Sequence, residues 1–212
     1  MRDVPQLSER VALLVVDMQN AFFEDPALAV HRGPLLRHCN VLTALARSRG
    51  MPILNIRTEH RRDKSTWTLN MLDDDQGFLF EGSEQARNLA ELDVSGALEV
   101  IKRRDSAFWD TGLVGLLADL GVEEVVIAGV ATHTCIASTA ADAYAADLRA
   151  WLVSDAIASA DPDFASATLG LLQSEYRQKV VTTRALASGG PARPPAEEAA
   201  PSGAGKAGEH IH

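Results

Sequence analysis

The stretch Val11-Ala12-Leu13-Leu14-Val15-Val16-Asp17 decides how this chain folds. Six apolar residues, three of them β-branched valines, run without polar alternation, which is how a strand buried on both faces of a parallel sheet reads. The carboxylate that follows at once marks the rim of such a sheet. Working outward, Pro52–Ile56, Leu98–Ile101, Val125–Ala128, Ala150–Val153 and Val180–Thr182 predict further strands. Helical patterns fall between them at about Leu35–Ser48, which Gly50 ends, and at Gly112–Leu120, Cys135–Ala146 and Asp163–Gln178. Strands and helices alternating at this spacing imply right-handed crossovers and a doubly wound α/β sheet.

The chain has 212 residues, 46% of them hydrophobic, enough for one domain with a sizeable core. Its formal net charge of −9 and the lack of any basic stripe argue against nucleic acid or an anionic membrane as partner. No apolar run approaches the roughly 18 residues that span a bilayer. The first residues, Met1-Arg2-Asp3-Val4-Pro5, lack the apolar stretch of a signal peptide, so a cytoplasmic protein is expected. Two cysteines, Cys39 and Cys135, are too few for a disulfide framework and are expected as thiols.

Two regions break the strand–helix rhythm. From Thr58 to Asp93 the chain is long, polar and weakly periodic, which suits a lid, a binding loop or an interface element, or a partly helical crossover packed on the sheet. From Ser188 to His212 it is rich in Pro, Gly, Ala and Glu and reads as a tail. The expected organisation is therefore a domain over 1–187 followed by a tail over 188–212.

In open α/β sheets ligands bind beyond the carboxyl ends of the strands. Asp17 and Lys102 each close an apolar run, and Cys135 follows the strand Val125–Ala128 through the turn Gly129-Val130-Ala131-Thr132-His133-Thr134 and opens a helix. At a helix N-terminus unpaired N–H groups and the helix dipole favour a thiolate, the nucleophilic form of cysteine, and can receive an oxyanion. Asp17 is placed to take the thiol proton and return it to a leaving nitrogen, and Lys102 to favour anions in the site. Taken singly, the plain alternatives stand: Cys135 as buried filler, Asp17 as a loop starter, Lys102 as a solvated strand end. The joint placement at three strand ends is what points to chemistry.

Three segments carry a resemblance to a known family. Asp17-Met18-Gln19-Asn20-Ala21-Phe22 is similar to the Asp-x-Gln-x-x-Phe opening of the isochorismatase-like cysteine hydrolases, whose members include nicotinamidase, N-carbamoylsarcosine amidohydrolase and ureidoacrylate amidohydrolase. Ile101-Lys102-Arg103-Arg104-Asp105-Ser106-Ala107-Phe108 resembles that family's lysine segment, and Gly129-Val130-Ala131-Thr132-His133-Thr134-Cys135-Ile136 its nucleophile turn. The similarity covers about Glu9 to Thr182, and departs from the pattern at Ala21, where an Asp is common. It implies a mainly parallel six-stranded sheet in a three-layer, Rossmann-like arrangement and an Asp17–Lys102–Cys135 triad. It also implies a cis peptide between Val130 and Ala131, which turns the Ala131 N–H toward an oxyanion beside that of Cys135. The implied reaction is hydrolysis of a small amide, carbamoyl or ureido C–N bond through a thioester, in a homo-oligomer (dimer or tetramer), with no cofactor. Vinyl ether hydrolysis of the isochorismatase type and a non-catalytic binding or assembly role are the alternatives.

Nicotinamidases of this family hold a metal through an Asp-x-His pair and a further His. Here the segment reads Thr58-Glu59-His60-Arg61-Arg62-Asp63, with only His60 in place, so no metal is expected. Phe22, Arg57, His60, Trp67, Phe108 and His133 are the candidate pocket residues; Arg57, Arg61, Arg62 and Arg104 are the guanidinium groups near strand ends able to grip a carboxylate in two places. His133, two residues before Cys135, admits a Cys–His dyad, though the resemblance puts it at a variable position of the turn. Cys39 reads as a structural thiol, and His210-Ile211-His212 as incidental to the tail.

Overall fold

The computed structural model describes residues 6–189. Six strands form one sheet: β1 (Val11–Val16), β2 (Ile53–Thr58), β3 (Leu98–Lys102), β4 (Glu124–Val130), β5 (Arg149–Ala158) and β6 (Lys179–Val181). They lie side by side in the order β3-β2-β1-β4-β5-β6, every pair parallel. The order reverses at β1, so β1 and β4 diverge there to neighbours on opposite sides, and the crevice beyond their carboxyl ends is the topological switch point.

Because β1 is covered on both faces, its alternate residues go to separate cores. Val11, Leu13 and Val15 join one cluster with Leu35, Leu36, Cys39 and Leu42 of α2 (Arg32–Ser48) and Leu186 of α7 (Thr183–Ser188). Ala12, Leu14 and Val16 join the other, with Leu113 and Leu117 of α4 (Leu113–Asp119), Ala140 and Ala143 of α5 (Ala137–Ala145) and Leu172 of α6 (Pro162–Glu175). The continuous apolar run thus reports two half-cores, as an alternating run would report one. Two short helices, α1 (Pro26–Ala29) and α3 (Leu69–Asp73), complete the set among the described residues. Each strand expectation corresponds to a strand, and β4 and β5 run several residues beyond the expected bounds.

The long segment after Thr58 is a packed crossover. It carries α3, bridges back to the sheet rim through Gln19↔Asn88, and closes on itself through His60↔Phe80. Ser188 is the last residue of α7; the rest of the expected tail, from 190 on, lies outside the described residues. Among the described residues no helix is long and apolar enough to cross a membrane.

Candidate active site

Three parallel strands bring their ends to one point. Thr58, the last residue of β2, is in register with Lys102, the last of β3, while Asp17 follows β1 directly. Asp17 sits in the left-handed region (φ 53°), which aspartate tolerates better than most residues, and its N–H donates to Ile56 O at 2.8 Å. The turn lets the carboxylate fold back over the sheet instead of continuing the strand. On the other side β4 presses against the same point: a Cβ on Gly129 would lie 1.9 Å from Val16 O, so only glycine fits there.

The side chains converge inside the protein. Asp17 and Lys102 are 0% and 1% exposed, Cys135 6%. Lys102 Nζ stands 2.7 Å from Asp17 Oδ2 and donates to Thr58 Oγ1 at 2.7 Å, to Arg104 O at 3.1 Å and to Cys135 Sγ at 3.3 Å. An ammonium has three protons for these four neighbours, and the sulfur is the most distant. Thr58 Oγ1 accepts from Lys102 and donates to Asp17 Oδ1 at 2.9 Å, tying the carboxylate down by one oxygen. Asp17 Oδ2 faces the ammonium at 2.7 Å, so the second carboxylate oxygen has Lys102 as its partner.

Thr58 and Gln19 are the residues that sequence reasoning missed. Gln19, wholly buried, donates through Nε2 to Thr58 O at 2.9 Å and Ala86 O at 2.7 Å, and its Oε1 accepts the Thr58 N–H at 2.8 Å. One side chain so fixes both backbone groups of Thr58 and the returning crossover. A signal existed for both: Gln19 lies in the quoted opening motif, and Thr58 ends the strand beside Lys102.

Cys135 lies in a single π turn, Thr132–Ile136, that leads into α5, and the Val130–Ala131 peptide before it is cis. The expectation that Cys135 opens a helix is corrected by three residues: helical backbone begins at Thr132, and the Ala131 carbonyl takes the N–H groups of Thr134 and Ile136. Burial opposes the thiolate that a helix start would favour. Burial pushes the Cys135 thiol up, the charge of Asp17 adds to the shift, and the Lys102 ammonium opposes both without prevailing. Burial also works against the Lys102 ammonium, but Asp17, by its charge and a hydrogen bond, outweighs it and holds the group above its ordinary range. The site therefore favours an ammonium at Lys102 and a protonated thiol at Cys135.

The candidate pocket residues divide. Phe108 packs against the cluster that contains Cys135. His133 is drawn to Ser159 through Nδ1 and rests on the Phe164 ring at 5.7 Å, so its bonding partner is not the thiol. Phe22 meets Phe78 edge-on at 6.3 Å, and His60 meets the same ring at 6.3 Å. His60 is buried with Nδ1 2.9 Å from Thr66 O; burial pushes its imidazole below the ordinary value, the bond to Thr66 O opposes that, and the charges of Arg104 and Lys102 add to it. The structure does not bring Arg57 or Trp67 to the cluster. Arg57 is consumed by Glu59 at 2.5 Å and Glu99 at 2.8 Å, whose charges hold it protonated against the cost of burial. Strand alternation sends it to the face opposite Thr58. Trp67 is buried under the crossover, donating to Arg61 O at 2.8 Å. Among the described residues no three His, Cys, Asp or Glu side chains gather closely enough to hold a metal ion, and the partners of His60 do not fit one.

Cys135, Lys102 and Asp17 thus lie buried together at the switch point of a parallel sheet, where open α/β sheets take their ligands. The family model of the isochorismatase domain matches residues 11–185, and the chain belongs to that family. It is 34% identical over 167 residues to a probable inactive nicotinamidase of Arabidopsis thaliana, covering 74% of this chain and 85% of that one. Among solved structures it is similar to an isochorismatase family protein from Desulfovibrio vulgaris, with a TM-score of 0.76 and 30% identity over 83% of this chain and 95% of that one. N-carbamoylsarcosine amidase from Thermoplasma acidophilum superposes with a TM-score of 0.68 at 26% identity, over 82% and 96% of the two chains.

Proposed function

We propose that this protein is a cysteine amidohydrolase acting on a small amide, carbamoyl or ureido substrate. The observation that carries the reading is the position of Lys102 Nζ, 2.7 Å from the Asp17 carboxylate and 3.3 Å from the Cys135 sulfur. Since the site favours a protonated thiol, its proton leaves as the C–S bond forms, and Asp17 is the acceptor. The carbonyl π pair moves to oxygen, held by the Ala131 and Cys135 N–H groups. Collapse breaks the C–N bond, and the proton on Asp17 leaves with ammonia or an amine. Asp17 then draws a proton from water as it attacks the thioester, and the expelled sulfur regains a proton. Lys102 offsets the negative charge that each step creates.

The test is ammonia or amine release from a panel of small amides, carbamoyl compounds and ureides by wild type and Cys135→Ala. Turnover confined to the wild type is expected; equal turnover by both proteins overturns the assignment. A second reading, a non-catalytic member, is favoured by the similarity to a relative described as a probable inactive nicotinamidase. It predicts no turnover on the whole panel and no acyl adduct on Cys135 by mass spectrometry.

A further inference from the structure

The sequence carries a net charge of −9, yet three guanidinium groups face one polar cavity of about 350 Å³. Arg61 enters it from the crossover, and Arg103 and Arg104 enter it from the segment after β3; Ser65, Thr66 and Trp109 complete most of the wall. None of the three arginines has a carboxylate within ion-pairing distance among the described residues. Asp110 lines the same cavity and is the one acid there, so the balance is three positive groups to one negative. The other arginines near the strand ends are spent: Arg57 on Glu59 and Glu99, Arg62 over the Phe80 ring at 4.4 Å.

The wall is held in shape from behind. Arg61 N donates to Thr66 Oγ1 at 2.8 Å, Trp67 Nε1 to Arg61 O at 2.8 Å, and Arg104 Nη1 to Thr66 O at 3.0 Å. The bracing fixes the two loops relative to each other before any ligand arrives, which lowers the ordering cost of binding. Arg103 Nε has no acceptor among the described residues, so that part of the guanidinium is not spent on the protein.

We infer that Arg61, Arg103 and Arg104 form an oxyanion-binding site for a carboxylate or phosphate group, walled by the exposed face of Trp109. Planar guanidinium groups converging on one space suit a planar carboxylate or a phosphate, each able to accept several charge-assisted bonds. The site touches the reactive cluster through backbone: Arg104 O accepts from Lys102 Nζ at 3.1 Å. Arg104 and Trp109 also line an adjoining, less polar cavity of about 610 Å³ that reaches Ser106 and Ser138, three residues past Cys135. The bound oxyanion belongs either to the substrate itself or to a separate small anion whose binding shifts the support of Lys102. The first case rests on the amidohydrolase reading; the binding site does not.

The experiment titrates the full-length protein with inorganic phosphate at constant ionic strength, by calorimetry and by tryptophan fluorescence. Trp109 is 65% exposed, whereas Trp67 and Trp151 are buried, so it dominates any response. Saturable binding is expected in the wild type, weakened about tenfold or more in Arg61→Gln and Arg103→Gln and less in Arg103→Lys. Asp110→Asn, which removes the opposing charge, tightens it; a loss due to misfolding moves in the other direction. Failure of phosphate to saturate the wild type, or equal affinity in wild type and both glutamine variants, overturns the site. Paired carboxylated and uncharged ureides then separate the two sources. Phosphate competing with the carboxylated substrate, together with a preference for it that Arg103→Gln erases, assigns the substrate's own anion. Phosphate that binds without competing assigns a separate one. Should no substrate turn over, the amidohydrolase reading fails while the phosphate titration still decides the site.

Discussion

Two thiols lie on opposite faces of one sheet. Cys39, on α2, is 0% exposed within one apolar cluster of the sheet; Cys135 is 6% exposed at the strand ends. Burial pushes both upward, Cys39 to about 12. What differs is the company: nothing charged is near enough to shift Cys39, while Cys135 has an ammonium 3.3 Å away and a carboxylate beyond it. Burial alone suits a thiol to packing, and under the proposed mechanism the same burial beside an acceptor suits it to giving up a proton. On that reading the pair of charges, and not the depth of the sulfur, separates the two cysteines.

The widest separation should appear in turnover. Cys135→Ala is expected to lower kcat/KM about 10⁴-fold or more, and Cys39→Ala to leave it within about threefold, measured on whichever substrate the wild type cleaves. Next comes the ion pair itself. Lys102→Met leaves the Asp17 carboxylate buried without its counter-charge and is expected to cost about 3–5 kcal/mol in urea unfolding. Adding Asp17→Asn to that variant should restore most of the stability and none of the activity; no restoration would show that the two charges are not each other's compensation.

How much of this could be read from the chain follows the same line. Asp17 and Lys102 were legible because a charge directly after an apolar run is conspicuous, and β1 was read to its exact bounds because burial on both faces leaves no polar residue to blur them. Thr58 was not: a threonine ending a strand is what β-propensity alone supplies, and its hydroxyl matters only because Lys102 lies in register beside it. The short helices α1, α3 and α7 have four to six residues, too few to show a helical period. The burial that opposes the Cys135 thiolate was not legible, because position along a helix says nothing of what closes over the sulfur from other elements. Arg57 was misplaced for a reason the sequence did contain, since residues 57 and 58 of one strand cannot share a face.

Two smaller effects sharpen the contrast between the thiols. Iodoacetamide labelling, followed by mass spectrometry from pH 6 to 10, should modify Cys135 and spare Cys39. Its rate should rise about tenfold per pH unit without levelling off near the ordinary thiol pKa, because the thiolate fraction is still small there. A plateau below pH 8 would mean a resting thiolate. Cys39 should show itself only through stability. Its folded pKa lies above its unfolded one, so the unfolded chain releases the proton first; the contribution is complete below about pH 9 and is lost as pH climbs toward about 12. Alkaline melting curves of wild type and Cys39→Ala should accordingly converge above pH 9.

The clamp made by Gln19 carries a consequence for how such a protein changes over time. By holding Thr58 and Ala86 with one buried amide, it anchors both ends of the crossover, whose middle is packed through Trp67, Met71 and Leu79. Exposed positions between those anchors, such as residues 72–76, can be rewritten without disturbing Thr58, and through it Asp17. Libraries confined to such positions, with Trp67, Met71 and Leu79 kept, should retain the fold.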